Sequence, residues 1–194
     1  SYRRKLMSTL EERFDKAEEM ILKRSFRNNI GFEEPYYIFD YEPSKELYVH
    51  ERIEFLKKKS QVTDLNIVIF DLYDIIIEIS KKKGFLEKNF EFEHKKGLER
   101  VTKAIGNMLR VTTPNNLVVK YIEERSDGAD VIFLTGIGKC FPLFRAHNVL
   151  NNLNNVIHNI PVVMFYPGNY DGQYLALFSK IKDDNHYRAF KLVD

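Results

Sequence analysis

Ala129-Asp130-Val131-Ile132-Phe133-Leu134-Thr135-Gly136-Ile137-Gly138 carries the reading of the fold. Residues 129–134 form a short apolar run that reads as a strand, and Thr135-Gly136-Ile137-Gly138 reads as a turn. Leu143, Ala146, Leu150, Leu153 and Ile157 then fall on one face of a helix, and residues 161–165 supply the next strand. A strand, a glycine turn, a helix and a strand in this order describe a crossover between parallel strands.

The same alternation extends towards the N-terminus. Tyr36-Tyr37-Ile38-Phe39 reads as a buried strand, followed after Pro43 and Ser44 by a helix that carries Leu47, Ile53 and Leu56. Asn66-Ile67-Val68-Ile69-Phe70 is a further β-branched run, and residues 71–84 supply its helix, with Gly84 as the stop. A helical stretch follows from about Glu93 to Leu109, and Thr113-Pro114 has the look of an N-cap with proline at the first helical position. The first segment, residues 2–23, places Leu6, Leu10, Phe14, Ala17 and Ile21 on one face of an amphipathic helix. Tyr166-Pro167-Gly168-Asn169-Tyr170-Asp171-Gly172 reads as a long aromatic turn, Lys180-Ile181-Lys182 as part of a charged loop, and residues 187–193 as a final strand. The expectation is a single α/β domain over residues 1–194, with a mostly parallel central sheet of about five strands and helices on both faces. Residues 1–30 form an N-terminal helical segment and residues 71–128 a helix-rich insertion.

Composition narrows the function classes. The 194 residues are 44% hydrophobic and 13% aromatic, with 15 Phe, 11 Tyr and no Trp, which fits a folded core built on phenylalanine. Lys and Arg total 30 against 28 Asp and Glu, so the net charge of +2 supplies no broad basic footprint for duplex DNA. The single cysteine, Cys140, excludes an internal disulfide and a cysteine-based zinc site. No apolar run reaches the roughly 18 residues that span a bilayer, so a cytoplasmic protein without membrane attachment is expected.

Chemistry is sought at the loops after the strands, where open α/β sheets place their sites. Gly136-Ile137-Gly138-Lys139-Cys140 resembles half of a phosphate-binding loop. The complete motif needs a glycine where Phe133 stands and Ser or Thr where Cys140 stands, so a tight strand-to-helix turn is the simpler reading. Glu93-His94-Lys95 with Asp71 upstream has the letters of a metal-dependent nuclease, in a context that reads as helical. His50, His94, His147, His158 and His186 contain no pair at metal-ligand spacing. Lys57-Lys58-Lys59, Lys81-Lys82-Lys83 and Arg3-Arg4-Lys5 are read first as solvated helix ends and second as DNA contacts. Tyr166, Tyr170 and Tyr174 are read equally as a contact surface and as core.

Several blocks resemble the BrxB family. They are Phe165-Tyr166-Pro167-Gly168, Tyr170-Asp171-Gly172-Gln173, Lys182-Asp183-Asp184-Asn185 and Tyr187-Arg188-Ala189-Phe190, with Leu134-Thr135-Gly136-Ile137-Gly138, Arg145 and residues 147–153 upstream. Residues 35–39 and the charged helix after them extend the likeness more loosely over nearly the whole chain. The resemblance implies membership of BREX, a multi-gene bacterial defence system against phage that includes a phosphatase-like protein (PglZ), a methyltransferase (PglX) and a large ATPase (BrxC). It implies a small non-catalytic component that binds another BREX protein, with a PglZ-like protein as the expected partner beside other BREX components. No cofactor or metal is expected, and any DNA contact is expected to be indirect. The candidate contact residues are Gly136, Gly138, Arg145, His147, Asn148 and Asn151 with Tyr166, Gly168, Tyr170, Asp171 and Gln173, on loops expected to meet at one sheet edge. The alternative is a nucleotide-binding protein with a degenerate loop, or a nucleic-acid-processing enzyme of the same system.

Overall fold

The computed structural model describes residues 9–28, 35–84, 97–172, 175–177, 181–182 and 189–194. Strands β1 (Tyr36–Tyr41), β2 (Ile67–Asp71), β3 (Val131–Thr135), β4 (Val162–Tyr170) and β7 (Phe190–Lys191) form a parallel path in the order β2-β3-β4-β1-β7. Strands β5 (Leu175–Leu177) and β6 (Ile181–Lys182) extend it as an antiparallel branch from β4. The fold class is therefore α/β, as the alternation of elements indicates. By their contacts the residues divide into two compact units, Ser1–Val68 with Ala129–Phe133 and Asn159–Asp194, and Ile69–Gly128 with Leu134–His158.

In the first unit, helix α1 (Leu10–Leu22) buries Phe14, Ala17 and Ile21, three of the positions its sequence spacing marks. Leu6 lies outside the described residues. Thr9 caps the helix by accepting from the amide of Glu12. Phe14 meets Phe39 of β1 edge-on at 5.2 Å and stacks on Phe165 of β4 at 6.1 Å, while Phe133 of β3 meets Phe165 at 5.0 Å. These rings seat α1 on β1 and β4, with β3 joined to the cluster through Phe165, and their edge-and-face geometry contributes beyond area burial. A one-turn helix α2 (Arg24–Arg27) follows α1 and buries Phe26. Helix α3 (Glu46–Val62), entered through a 3₁₀ turn at Pro43–Lys45, buries Val49, Ile53, Leu56 and Ser60. Leu47, also apolar, is 72% exposed. It lies on the far side of α3, because the buried residues at spacings of four and three select the opposite face.

The largest departure from expectation is β4. Tyr166-Pro167-Gly168-Asn169-Tyr170 is strand, not turn. Residues 162–167 pair in parallel with residues 36–41 of β1, and Gly168, Asn169 and Tyr170 pair antiparallel with Leu177, Ala176 and Leu175. Pro167 stands where the strand changes partner, a position that tolerates the missing amide donor better than the middle of a ladder. The chain turns only after Tyr170, at Asp171 and Gly172, the latter with φ of 94°. Ile181–Lys182, expected in a loop, forms β6. The final strand is shorter than expected, with β7 at Phe190–Lys191 alone beside Tyr37 and Ile38; Tyr187 and Arg188 lie outside the described residues.

The second unit contains helices α4 (Leu72–Lys82), α5 (Leu98–Leu109), α6 (Leu117–Glu124), α7 (Ile137–Cys140) and α8 (Ala146–Leu153). Helix α4 buries Leu72, Ile75, Ile76 and Ile79 at helical spacing. Helix α5 starts at Leu98, after Gly97 with φ of 82°; residues 85–96, which include the expected start near Glu93, lie outside the described residues. The expected cap at Thr113-Pro114 is also corrected. Helix α6 is capped by Asn116, whose buried side chain accepts from the amides of Val118 and Val119 and donates to Val111 O at 3.2 Å. Thr113 instead donates its hydroxyl to Arg110 O, after the end of α5. The helix expected over residues 143–157 is limited to Ala146–Leu153, although Phe144 and Ile157 beside it are buried as well.

Replacing Phe14 by Ala removes the ring that joins α1 to β1 and β4, and is expected to destabilise the chain by about 3–5 kcal/mol. Urea unfolding followed by circular dichroism measures this, and a loss under about 1 kcal/mol would show that the aromatic cluster does not hold α1.

Candidate functional site

The predicted residues fall into two groups, one in each unit. Gly136, Gly138, Arg145, His147, Asn148 and Asn151 belong to the second unit, and Tyr166, Gly168, Tyr170 and Asp171 to the first. Gln173 lies outside the described residues.

In the second unit the glycine turn is built against an aspartate that ends β2. Asp71 caps α4, its Oδ1 accepting from the amides of Tyr73 at 2.9 Å and Asp74 at 3.1 Å. Gly136 approaches this carboxylate so closely that a Cβ there would lie 3.0 Å from Asp71 Cγ and nearer still to Oδ1. Gly136 also has φ of 78°, in the left-handed region that disfavours side chains. Both facts account for the glycine without any ligand. Gly138 lies within α7 and is half-buried.

Cys140 ends α7 with its Sγ donating to Gly136 O at 3.3 Å. Burial pushes the thiol up to about 12, with the Asp71 charge acting in the same direction and Lys139 against it. A thiol so held is protonated near neutrality, which is the wrong state for a nucleophile or metal ligand. Lys139 is exposed, its ammonium 6.0 Å from the Tyr73 ring.

The start of α8 is ordered by its own side chains. The backbone amide of Arg145 donates to Asn148 Oδ1 at 3.3 Å, and Asn152 donates its side-chain amide to Asn148 O at 2.7 Å. Arg145 is exposed with its guanidinium 5.9 Å from the Phe141 ring, Asn151 is exposed, and His147 and Asn148 are half-buried. Of this group, Lys139, Arg145 and Asn151 present the most side chain to solvent.

In the first unit the tyrosines resolve as core. Tyr166 is 3% exposed and Tyr170 1%, and Gly168 is buried beside them in β4. The Tyr170 hydroxyl donates to Ala189 O at 2.5 Å, and burial pushes its pKa up to about 12. Asp171, just beyond the strand, is exposed. Tyr174 lies outside the described residues.

Sequence reasoning did not single out Asp40 or Arg13. Asp40, 9% exposed at the end of β1, accepts from Arg13 at 2.7 Å through Oδ1 and from the Tyr170 amide at 2.9 Å through Oδ2. Next to it, the Tyr41 hydroxyl donates to Glu46, and burial with that carboxylate raises the tyrosine's pKa. An aspartate closing an apolar strand is the available sequence signal, but its partners are far away along the chain. Lys59 pairs with Glu18 at 2.9 Å and Lys82 with Glu78 at 3.1 Å, so each of those basic runs has a lysine engaged within the chain. Arg3, Arg4, Lys5 and Glu93-His94-Lys95 lie outside the described residues. Among the described residues no group of three or more His, Cys, Asp or Glu side chains is arranged to hold a metal, and no helix is long and apolar enough to cross a membrane.

Fold and turn together define a parallel α/β protein whose strand-end glycine is filled by an aspartate of its own chain. A profile described as "BREX protein BrxB" matches residues 68–192. A protein of that name from Bacillus cereus (strain H3081.97) is 46% identical over 191 residues, covering 97% of this chain and all of the relative. Another from Escherichia coli O9:H4 (strain HS) is 31% identical over 186 residues, covering 95% of this chain and 92% of the relative. No solved structure shows significant similarity. The chain belongs to the BrxB family of BREX proteins.

Gly136→Ala is expected to cost about 2–4 kcal/mol, combining the left-handed backbone with displacement of the Asp71 cap. Asp71→Ala removes the obstructing carboxylate, so the double variant should lose less than the sum of the two single losses. Strict additivity in thermal unfolding would mean that the two side chains do not meet.

Cys140 gives a second expectation. Its proton is held more tightly in the folded chain, so the stability it contributes is fully present below the thiol's ordinary value of 9 and is lost as pH rises towards 12. At pH 8, alkylation by iodoacetamide should run at least about a hundredfold slower in native protein than in denaturant. Equal rates would place the thiol at the surface.

Proposed function

We propose that this chain is a non-catalytic assembly or regulatory component of BREX-type defence against phage, acting by binding another BREX protein, with a PglZ-like phosphatase-fold protein as the partner. Family membership supports the BREX setting. The observation that carries the binding reading is the state of the chemistry-bearing groups. Asp71 is engaged with the first turn of α4, Cys140 is a buried protonated thiol, and Asp40 is held between Arg13 and the Tyr170 amide. These groups serve the fold, while Arg145, Asn151 and Asp171 project from the two segments that carry the family likeness. Arginine is enriched among the residues that carry binding energy at protein interfaces.

The same geometry disfavours the nucleotide reading. A phosphate loop offers free backbone N–H groups and positive charge, whereas here a carboxylate stands against Gly136 and accepts the nearby α4 amides. Millimolar ATP with Mg²⁺ is expected to leave the melting temperature unchanged, and a clear upward shift would restore that reading.

The direct test is capture of the tagged chain from cells expressing the neighbouring defence genes, with bound proteins identified by mass spectrometry. A PglZ-like protein in near-equal amount is expected. The Arg145→Ala/Asn151→Ala variant should capture it at least about tenfold less well while melting like the parent. Unchanged capture would remove this surface from the interface, and capture of no BREX protein at all would overturn the proposal. Tyr170→Ala is unsuitable as an interface probe, since Tyr170 is buried and its loss reports on folding.

A further inference from the structure

Helix α3 has two apolar faces. Val49, Ile53 and Leu56 turn inward, whereas Leu47, Phe55 and Val62 are 72%, 60% and 88% exposed. At 3.6 residues per turn these three lie within one stripe on the opposite side of the helix, about 22 Å long. Two charged side chains, Glu51 and Lys58, share the stripe and are exposed. Neither has an ion-pair partner among the described residues. Two helical turns separate them, about 10 Å, so they cannot neutralise each other within one helix.

We infer that this stripe is a self-association surface, on which α3 of a second copy of the chain packs antiparallel. The order of residues carries the argument. A two-fold axis midway between Glu54 and Phe55 sets Leu47 against Val62 of the second copy, and Glu51 against Lys58 of the second copy. Each contact occurs twice, as an isologous interface requires. Phe55 meets its own symmetry mate beside the axis, which places the largest apolar side chain at the centre of the contact, where binding energy concentrates. A parallel arrangement would oppose Glu51 with Glu51 and Lys58 with Lys58, so the charges select the antiparallel register. An unrelated partner would give no reason for the acidic and basic positions to stand symmetrically about the same point between Glu54 and Phe55 as Leu47 and Val62.

Sedimentation of the full chain over a range of concentrations tests the inference. The parent is expected to form a concentration-dependent dimer, and Phe55→Glu to weaken it at least about tenfold. Phe55 is exposed, so this variant keeps its helical circular dichroism. Glu51→Lys and Lys58→Glu should each weaken the dimer, and the two together should restore it, because both pairs are then reversed. In Leu47→Cys/Val62→Cys, mild oxidation should give a disulfide-linked dimer with little background, since the native Cys140 is buried. Leu47→Cys alone should not cross-link through the stripe. A parent that stays monomeric at every concentration overturns the proposal, as does a dimer indifferent to Phe55→Glu. If the parent is monomeric and Phe55→Glu instead loses a co-purifying BREX protein, the stripe belongs to that protein and not to a second copy.

Discussion

The buried Asp40 carboxylate is the constraint on which the first unit depends. A carboxylate taken out of water is costly unless charge and hydrogen bonds replace its solvation. Here α1 supplies the charge through Arg13, and the far end of β4 supplies the backbone amide of Tyr170. The guanidinium also lies 4.9 Å from the Phe39 ring, so charge and aromatic packing are joined at one place. Tyr170 passes the connection on through its hydroxyl to Ala189, next to β7. One acidic side chain thus relates a helix, its own strand, the neighbouring strand and the last strand among the described residues.

The Arg13 bond spans 27 residues and the Tyr170 bond 130, which explains why this arrangement was not legible in the sequence. What could be read was local. The β-branched runs at residues 67–70 and 131–134 announce strands, and the spacings of Phe14, Ala17 and Ile21 or of Ile75, Ile76 and Ile79 announce helical faces. Alternation of these elements is enough for the parallel α/β class, because parallel strands need long connections.

The errors have a common physical origin. Proline and glycine in Tyr166-Pro167-Gly168 favour a turn locally, but β1 and β5 together provide partners for that backbone and the turn is postponed to Gly172. Thr113-Pro114 is a sound local cap, yet Asn116 takes the role because its side chain can bond forward to α6 and back to Val111 at once. Residues chosen as loops include strand residues, and the tyrosines among them are buried, whereas Arg145 and Asn151 remain at the surface.

The contact between Gly136 and Asp71 also constrains how this chain can diverge. Position 136 is closed to a side chain for as long as position 71 keeps its carboxylate in the same place. Position 71 in turn keeps that carboxylate for as long as α4 relies on it for a cap. The two sites, 65 residues apart in sequence, therefore form a linked pair of characters. A descendant that acquired alanine or serine at 136 would first have to find another way to begin α4, so the route to that change runs through position 71.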